Sequence, residues 1–164
     1  CGTCTLCLEA CPTGAIVDPW VLDSTRCVSY LTIELKDEIP EQLREAVGTH
    51  VYGCDICQDV CPWNARAARS ADPAWQPDPV LDQPQVTDLW RQPDDALRPI
   101  VKRSAMSRAG LRGLRRNIAV ALGNSATADA AAAVSAPVPD DSRSDPLVGE
   151  HLAWSRRRLR TENP

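Results

Sequence analysis

The sequence predicts an α+β chain, mostly helical, in which a small cysteine-rich module with short strands precedes a proline-rich connector and a helical end. Three observations carry that expectation. All eight cysteines lie within the first 61 residues and none in the 103 that follow. Six prolines fall between residues 73 and 99, where long regular elements are not expected. From residue 107 onward Leu111, Leu114, Ile118 and Leu122 recur at spacings of three and four, the stripe of a helix with one buried face. The predicted divisions are residues 1–66, 67–106 and 107–164.

The cysteines define the module. Cys1, Cys4, Cys7 and Cys11, with Pro12 after them, have the spacing of a bacterial ferredoxin loop, in which three thiolates hold one 4Fe-4S cubane and the fourth crosses to another. Cys54, Cys57 and Cys61-Pro62 repeat the tail of that run, but Val51 stands where its first cysteine belongs, and Cys27 is the spare thiol. If each site keeps three local ligands and swaps one, the first cluster takes Cys1, Cys4, Cys7 and Cys61. The second then takes Cys11, Cys27, Cys54 and Cys57. A disulfide framework would spread its cysteines along the chain. Structural zinc uses C-x2-C pairs but seldom this longer run or its partial repeat.

The remaining elements follow in order. Thr13 to Val17 suits a short strand, and Val28 to Leu35 fits helix or strand equally well. Pro40, Glu41, Leu43, Ala46, Val47 and Gly48 spell a short helix with a proline start and a glycine stop. Asp55 to Val60 suits a helical turn ended by Cys61-Pro62. One short helix is expected around Asp88 to Gln92. In the helix after Ser107, Arg108, Arg112, Arg115 and Arg116 are expected to share a separate polar face, and Gly123-Asn124 to stop it. Residues 126–134 are alanine-rich and weakly helical, Ser135 to Ser144 is a polar loop, and Pro146 to Arg160 is a last helix. Short helices of this kind resemble a HEAT-type hairpin repeat, so the fold expected is a bacterial-ferredoxin-like dicluster module followed by a small HEAT-like α-helical region.

Charge divides the chain as well: residues 1–95 carry net −10 and residues 96–164 net +6. Between Ala96 and Ala128 there are seven basic residues and no acidic one, which points to an anionic partner such as nucleic acid. No apolar run is long enough to cross a bilayer and no signal-peptide pattern is present, so a cytoplasmic, monomeric protein with reduced thiols is expected. A first ligand at position 1 suggests a fragment whose catalytic residues lie upstream. His50 and His151 read as surface or packing residues, Asp55 and Asp59 as solvated helix caps, and Trp63 as packing over a cluster.

Longer stretches carry a family likeness. Cys27-Val28-Ser29-Tyr30-Leu31-Thr32-Ile33-Glu34 and the run from Tyr52-Gly53-Cys54-Asp55 to Pro62-Trp63-Asn64 resemble the epoxyqueuosine reductase family. Arg116-Asn117-Ile118-Ala119-Val120-Ala121-Leu122-Gly123-Asn124 and the segment Asp145 to Trp154 resemble its HEAT-like region, although Gly149 stands where a basic residue is common. The resemblance implies a cobalamin- and iron–sulfur-dependent oxidoreductase that reduces epoxyqueuosine to queuosine in tRNA. Most of the cobalamin and the catalytic acid would belong to an upstream domain. It also implies cobalamin contacts at Ser29, Tyr30, Cys54 and Asp55, tRNA contacts at Arg108, Arg112, Arg115 and Arg116, and an external electron donor. A stand-alone dicluster electron carrier would explain the cysteines but not the basic helical region.

Overall fold

Two similar turns frame the N-terminal module. Helix α1 (Leu6–Ala10) and helix α3 (Ile56–Asp59) each begin one residue after a Thr5 or Asp55 whose carbonyl takes the first backbone bonds, and each ends at a Cys-Pro pair. Proline disfavours helical backbone in the residue before it, and Cys11 is extended at φ −68° and ψ 112°. The chain then turns alike in both places, Gly14 N–H onto Cys11 O and Asn64 N–H onto Cys61 O. Residues 4–14 and 54–64 are thus a structural repeat, and α1 packs against α3. The computed structural model describes residues 1–68, 70–75, 81–82, 84–136 and 144–162.

After α1 the expected strand forms slightly later than Thr13 to Val17, as β1 (Ile16–Asp18) paired antiparallel with β2 (Val21–Leu22). Pro19 and Trp20 make the turn. Proline is preset for its first corner, whereas Trp20 sits at φ +67°, a left-handed position that usually falls to glycine. A 3₁₀ turn (Ser24–Arg26) precedes Cys27, and the segment that fitted helix or strand forms a π-helix over Tyr30–Glu34. Helix α2 (Glu41–Val47) starts after Pro40 and stops at Gly48, where φ is +61°, as the sequence predicts.

The expected connector is partly wrong. Residues 86–103 form two helices, α4 (Val86–Arg91) and α5 (Asp94–Arg103), which belong to the main core. Pro99 lies inside α5 without breaking it. Its missing N–H would serve the carbonyl of Asp95, one turn back, and both residues are exposed on the outer face where solvent can take that carbonyl.

Helix α6 (Gly110–Asn124) is the hub, in contact with α2, α4, α5, α7 (Ala128–Ser135) and α8 (Pro146–Glu162). It is buried on every side from Gly113 to Gly123. Leu114, Ile118 and Leu122 join Leu89, Trp90, Leu97, Val101, Val134, Val148 and Leu152 in one core. A second core of Val28, Leu31, Ile39 and Val47 closes on Val120 and Trp154. Residues 28–47 therefore pack on the helical region, and the division expected at residue 66 does not separate two cores.

Helix α6 ends at Asn124, within the expected Gly123-Asn124 stop, but Gly123 itself lies inside the helix. A Cβ there would lie 2.7 Å from both Ser155 Oγ and Trp154 Cζ3, so the glycine lets α6 and α8 approach closely. Thr127 and Asp145 cap α7 and α8 by accepting from the Ala130 and Leu147 N–H groups. Of the expected polar loop, residues 137–143 lie outside the described residues.

Candidate metal centre

All eight cysteines are free thiols and line one cavity of about 600 Å³ at the N-terminal end. The α1 and α3 turns supply Cys1, Cys4, Cys7 and Cys11 from one side and Cys54, Cys57 and Cys61 from the other. Cys27 enters from the 3₁₀ turn. Among the described residues, no three His, Cys, Asp or Glu side chains converge closely enough to hold a single metal ion.

Electrostatics show which thiols are neighbours. Burial raises the Cys54 thiol, and Cys57, Cys27 and Cys11 push it the same way against a hydrogen bond from the Ile56 backbone. Burial likewise raises Cys57, with Cys27, Cys7 and Cys11 adding to the shift. Thiols that oppose their neighbours' ionisation in this way would ionise together only around a cation. Cys11 differs. Burial works to raise it, but bonds from Thr13 and from the Ala15, Ile16 and Thr13 backbone outweigh burial and lower it. The Ala15 N–H reaches its sulfur at 3.2 Å. Such N–H···S contacts stabilise anionic sulfur and tune cluster potentials.

Ser29, Cys54 and Asp55 line the same cavity, whereas Tyr30 packs against the Val28–Leu31 core. The Ser29 hydroxyl is already engaged. It accepts from Cys54 N–H at 3.0 Å and donates to Cys54 O at 3.2 Å. Trp63 lines the same cavity with its side chain 80% exposed, as do the exposed Trp20, Val21 and Leu22.

The expected four-arginine face does not form. Arg108 falls on a 3₁₀ turn (Ala105–Arg108) ahead of α6, and Arg115 and Arg116 are fully buried. Arg115 binds Asp94 through Nε at 3.0 Å and Nη2 at 2.7 Å, and donates to Leu89 O and Trp90 O. It thereby ties the end of α4 to the start of α5. Arg116 donates to Leu31 O, Leu35 O and Asp37 O at 2.7–2.8 Å. Burial lowers its guanidinium to about 10, with Arg112 adding to the shift, so it stays charged at neutral pH. Helical spacing shows which residues share a face but not whether another element covers it. Arg108 and Arg112 stay exposed, paired with Glu34 and Asp145.

Sequence reasoning missed a second buried polar group. Arg44 forms a two-pronged pair with Glu150 at 2.8 and 2.9 Å and donates to Ile39 O. His151 donates from Nδ1 to Leu147 O and accepts the Ile39 N–H at Nε2, which fixes one neutral tautomer. Burial, with help from Arg44 and Arg116, lowers it to about 4, so its 3.0 Å approach to Glu150 is not an ion pair near neutral pH. The only hint in the sequence was polar side chains set inside apolar helical runs.

Comparison with known proteins fits this geometry. Residues 1–64 match the family described as a 4Fe-4S double cluster binding domain. The epoxyqueuosine reductase of Burkholderia pseudomallei is 45% identical over 169 residues, 96% of this chain, and that of Shigella dysenteriae is 40% identical over 155 residues, 94% of this chain. The chain spans about 40% of the length of these relatives. A crystal structure of epoxyqueuosine reductase with an epoxyqueuosine-modified tRNA-Tyr stem loop superposes with a TM-score of 0.84 at 33% identity, covering 97% of this chain and 42% of that one.

Proposed function

We propose that the chain, whose relatives over the segment it spans are epoxyqueuosine reductases, is the electron-transfer and tRNA-contacting part of such an enzyme, which reduces epoxyqueuosine to queuosine in tRNA. The observation that carries the proposal is the gathering of all eight cysteines around one cavity within a double-cluster domain. In this reading Cys1, Cys4, Cys7 and Cys61 hold one 4Fe-4S cluster and Cys11, Cys27, Cys54 and Cys57 the other. Cys27 and Cys11 both act on Cys54 and on Cys57, which supports the second set, and Cys7 of the first set also reaches Cys57.

Removing an epoxide oxygen takes two electrons, and a cubane passes one at a time. Bound here, the clusters would supply that one-electron transfer from an external donor, and cobalamin would supply the centre where the electrons meet the substrate. The residues of the chain hold, insulate and tune. The two Cys-Pro turns fix the thiolates, and the Ala15 N–H and Thr13 hydroxyl favour the anionic form of Cys11. Cobalamin contact from this segment narrows to the exposed Asp55, since the Ser29 hydroxyl and the Cys54 backbone engage each other and the Tyr30 ring packs into the core. Phosphate contact narrows to Arg108 and Arg112, which are 65% and 53% exposed.

Anaerobic reconstitution of the full chain tests the core of the proposal. Two cubanes require about eight iron atoms per chain. Four or fewer, or tight zinc in their place, would overturn it. For the tRNA arm, binding of an anticodon stem loop should weaken in Arg112→Ala, with the slope of log affinity against log salt reduced by about one. Unchanged binding and slope would remove Arg112 from the interface.

A further inference from the structure

The Arg116-Asn117 pair, part of the family-like run but buried away from any partner surface, is joined to the cluster loops by an unbroken set of hydrogen bonds. The π-helix ends at Glu34, so its last carbonyls have no partners further along the helix. Arg116 takes Leu31 O, and Asn117 Nδ2 takes Thr32 O at 2.7 Å. The same Asn117 nitrogen reaches Val51 O at 2.8 Å, while its Oδ1 accepts from Arg116 Nε and Nη2. One amide thus grips both the π-helix after Cys27 and the loop before Cys54.

The connection continues toward the cavity. Thr32 Oγ1 donates to Val28 O and accepts Gly53 N–H at 3.0 Å. Ser29 Oγ holds both the N–H and the carbonyl of Cys54. The loop from Val51 to Cys54 is therefore fixed at four backbone atoms by three side chains, and Cys27 lies two residues before Ser29.

We propose that Asn117, backed by Arg116 and acting through Thr32 and Ser29, is a positioning residue that sets the separation of Cys27 and Cys54. Its role rests on the assignment of both cysteines to one cluster. Cys1, Cys4 and Cys7 are not part of this network, so its loss should affect the second cluster and spare the first. Asn124, one helix end away, serves as the contrast. Its amide donates to Arg44 O on α2 and to Gly48 O just past the end of that helix, and these bonds reach neither cluster loop.

The test uses the reconstituted full chain and reads iron content, the electron paramagnetic resonance spectrum of the reduced protein, and thermal stability. Asn117→Asp keeps the acceptor facing Arg116 and removes both donated bonds. Ser29→Ala removes only the Cys54 latch, and Ser29→Thr restores a hydroxyl. In Asn117→Asp and Ser29→Ala, iron should fall from about eight toward about four per chain, or the second cluster's signal should shift and the magnetic coupling between clusters weaken. Ser29→Thr should restore the wild-type spectrum, and Asn124→Ala should lower stability without altering it. Should Asn117→Asp fail to fold, Ser29→Ala decides alone. Full iron and an unaltered spectrum in a folded Asn117→Asp or in Ser29→Ala would overturn the inference. So would the same spectral change in Asn124→Ala, which would mark a general loss of packing. A wild-type chain that never takes up about eight iron atoms would instead sink the two-cluster reading beneath it.

Discussion

The cysteine loops and the helical body are held together by different means. Among residues 1–27 only Thr13 and Ala15 are buried, and none of 53–66 is. Helix α6, by contrast, is buried from Gly113 to Gly123 and threads a core built from five helices. Apolar burial at roughly 25 cal/mol per Å² can sustain the second region but has little to act on in the first. Ligand bonds must supply what the loops lack, much as metal binding supplies the folding energy of other small cysteine-rich domains. The two regions meet where α6 presents Arg116 and Asn117 to backbone carbonyls. Buried charge here satisfies open carbonyls between elements, which apolar side chains could not do.

That contrast can be broken at several points. The largest single-residue effect should come from Arg115→Ala, which removes the buried donor that Asp94 shares with the Leu89, Trp90 and Gln92 carbonyls. Breaking a buried pair from one side costs about 3–5 kcal/mol. Chemical denaturation should show a loss of that order, while Arg108→Ala, on the exposed 3₁₀ turn, should stay within about 0.5 kcal/mol of wild type. Equal effects would mean that Arg115 is not the clamp described.

Gly123→Ala comes next. Its new methyl meets Ser155 and Trp154 at 2.7 Å, and overpacking of this kind costs about 1–3 kcal/mol. A variant as stable as wild type would show that α8 can withdraw freely.

Acid should weaken the helical body through His151. Its folded pKa of about 4 lies below the ordinary 6.5, so between those values the unfolded chain binds a proton that the native one does not. Stability then falls as pH drops from about 6.5 to about 4. Arg44, Glu150 and Arg116 face the ring, and His151→Gln should flatten this part of the pH profile. A profile unchanged in the variant would assign the slope to carboxylates instead.

A gain rather than a loss is expected at Gly149. A Cβ there meets nothing within 4 Å, so Gly149→Ala should stabilise α8 by up to about 1 kcal/mol. A lower melting temperature would contradict the open space around it.

What could be read from the sequence follows the same division. Cysteine spacing was legible because cluster geometry imposes it on a short stretch of chain, and the Pro40–Gly48 helix because its ends are local signals. The connector was misread because Pro99 is harmless only on a solvent-facing side, a tertiary fact. Arg115 and Arg116 were misread for a related reason. Their spacing matched a surface face, but α4, α5 and the π-helix lie over it. Gly123 carries the same residue type as a helix stop and serves as a contact, and only the position of α8 separates the two.

The central claim is that ligation holds the cysteine loops while packing holds the helical body. Hydrogen exchange on the reconstituted full chain, before and after anaerobic removal of iron by a chelator, tests it most directly. The account predicts that amides in residues 1–27 and 53–66 lose protection, whereas those of α6 and α8 keep theirs. Collapse of α6 and α8 together with the loops, or loops that remain protected without iron, would contradict it.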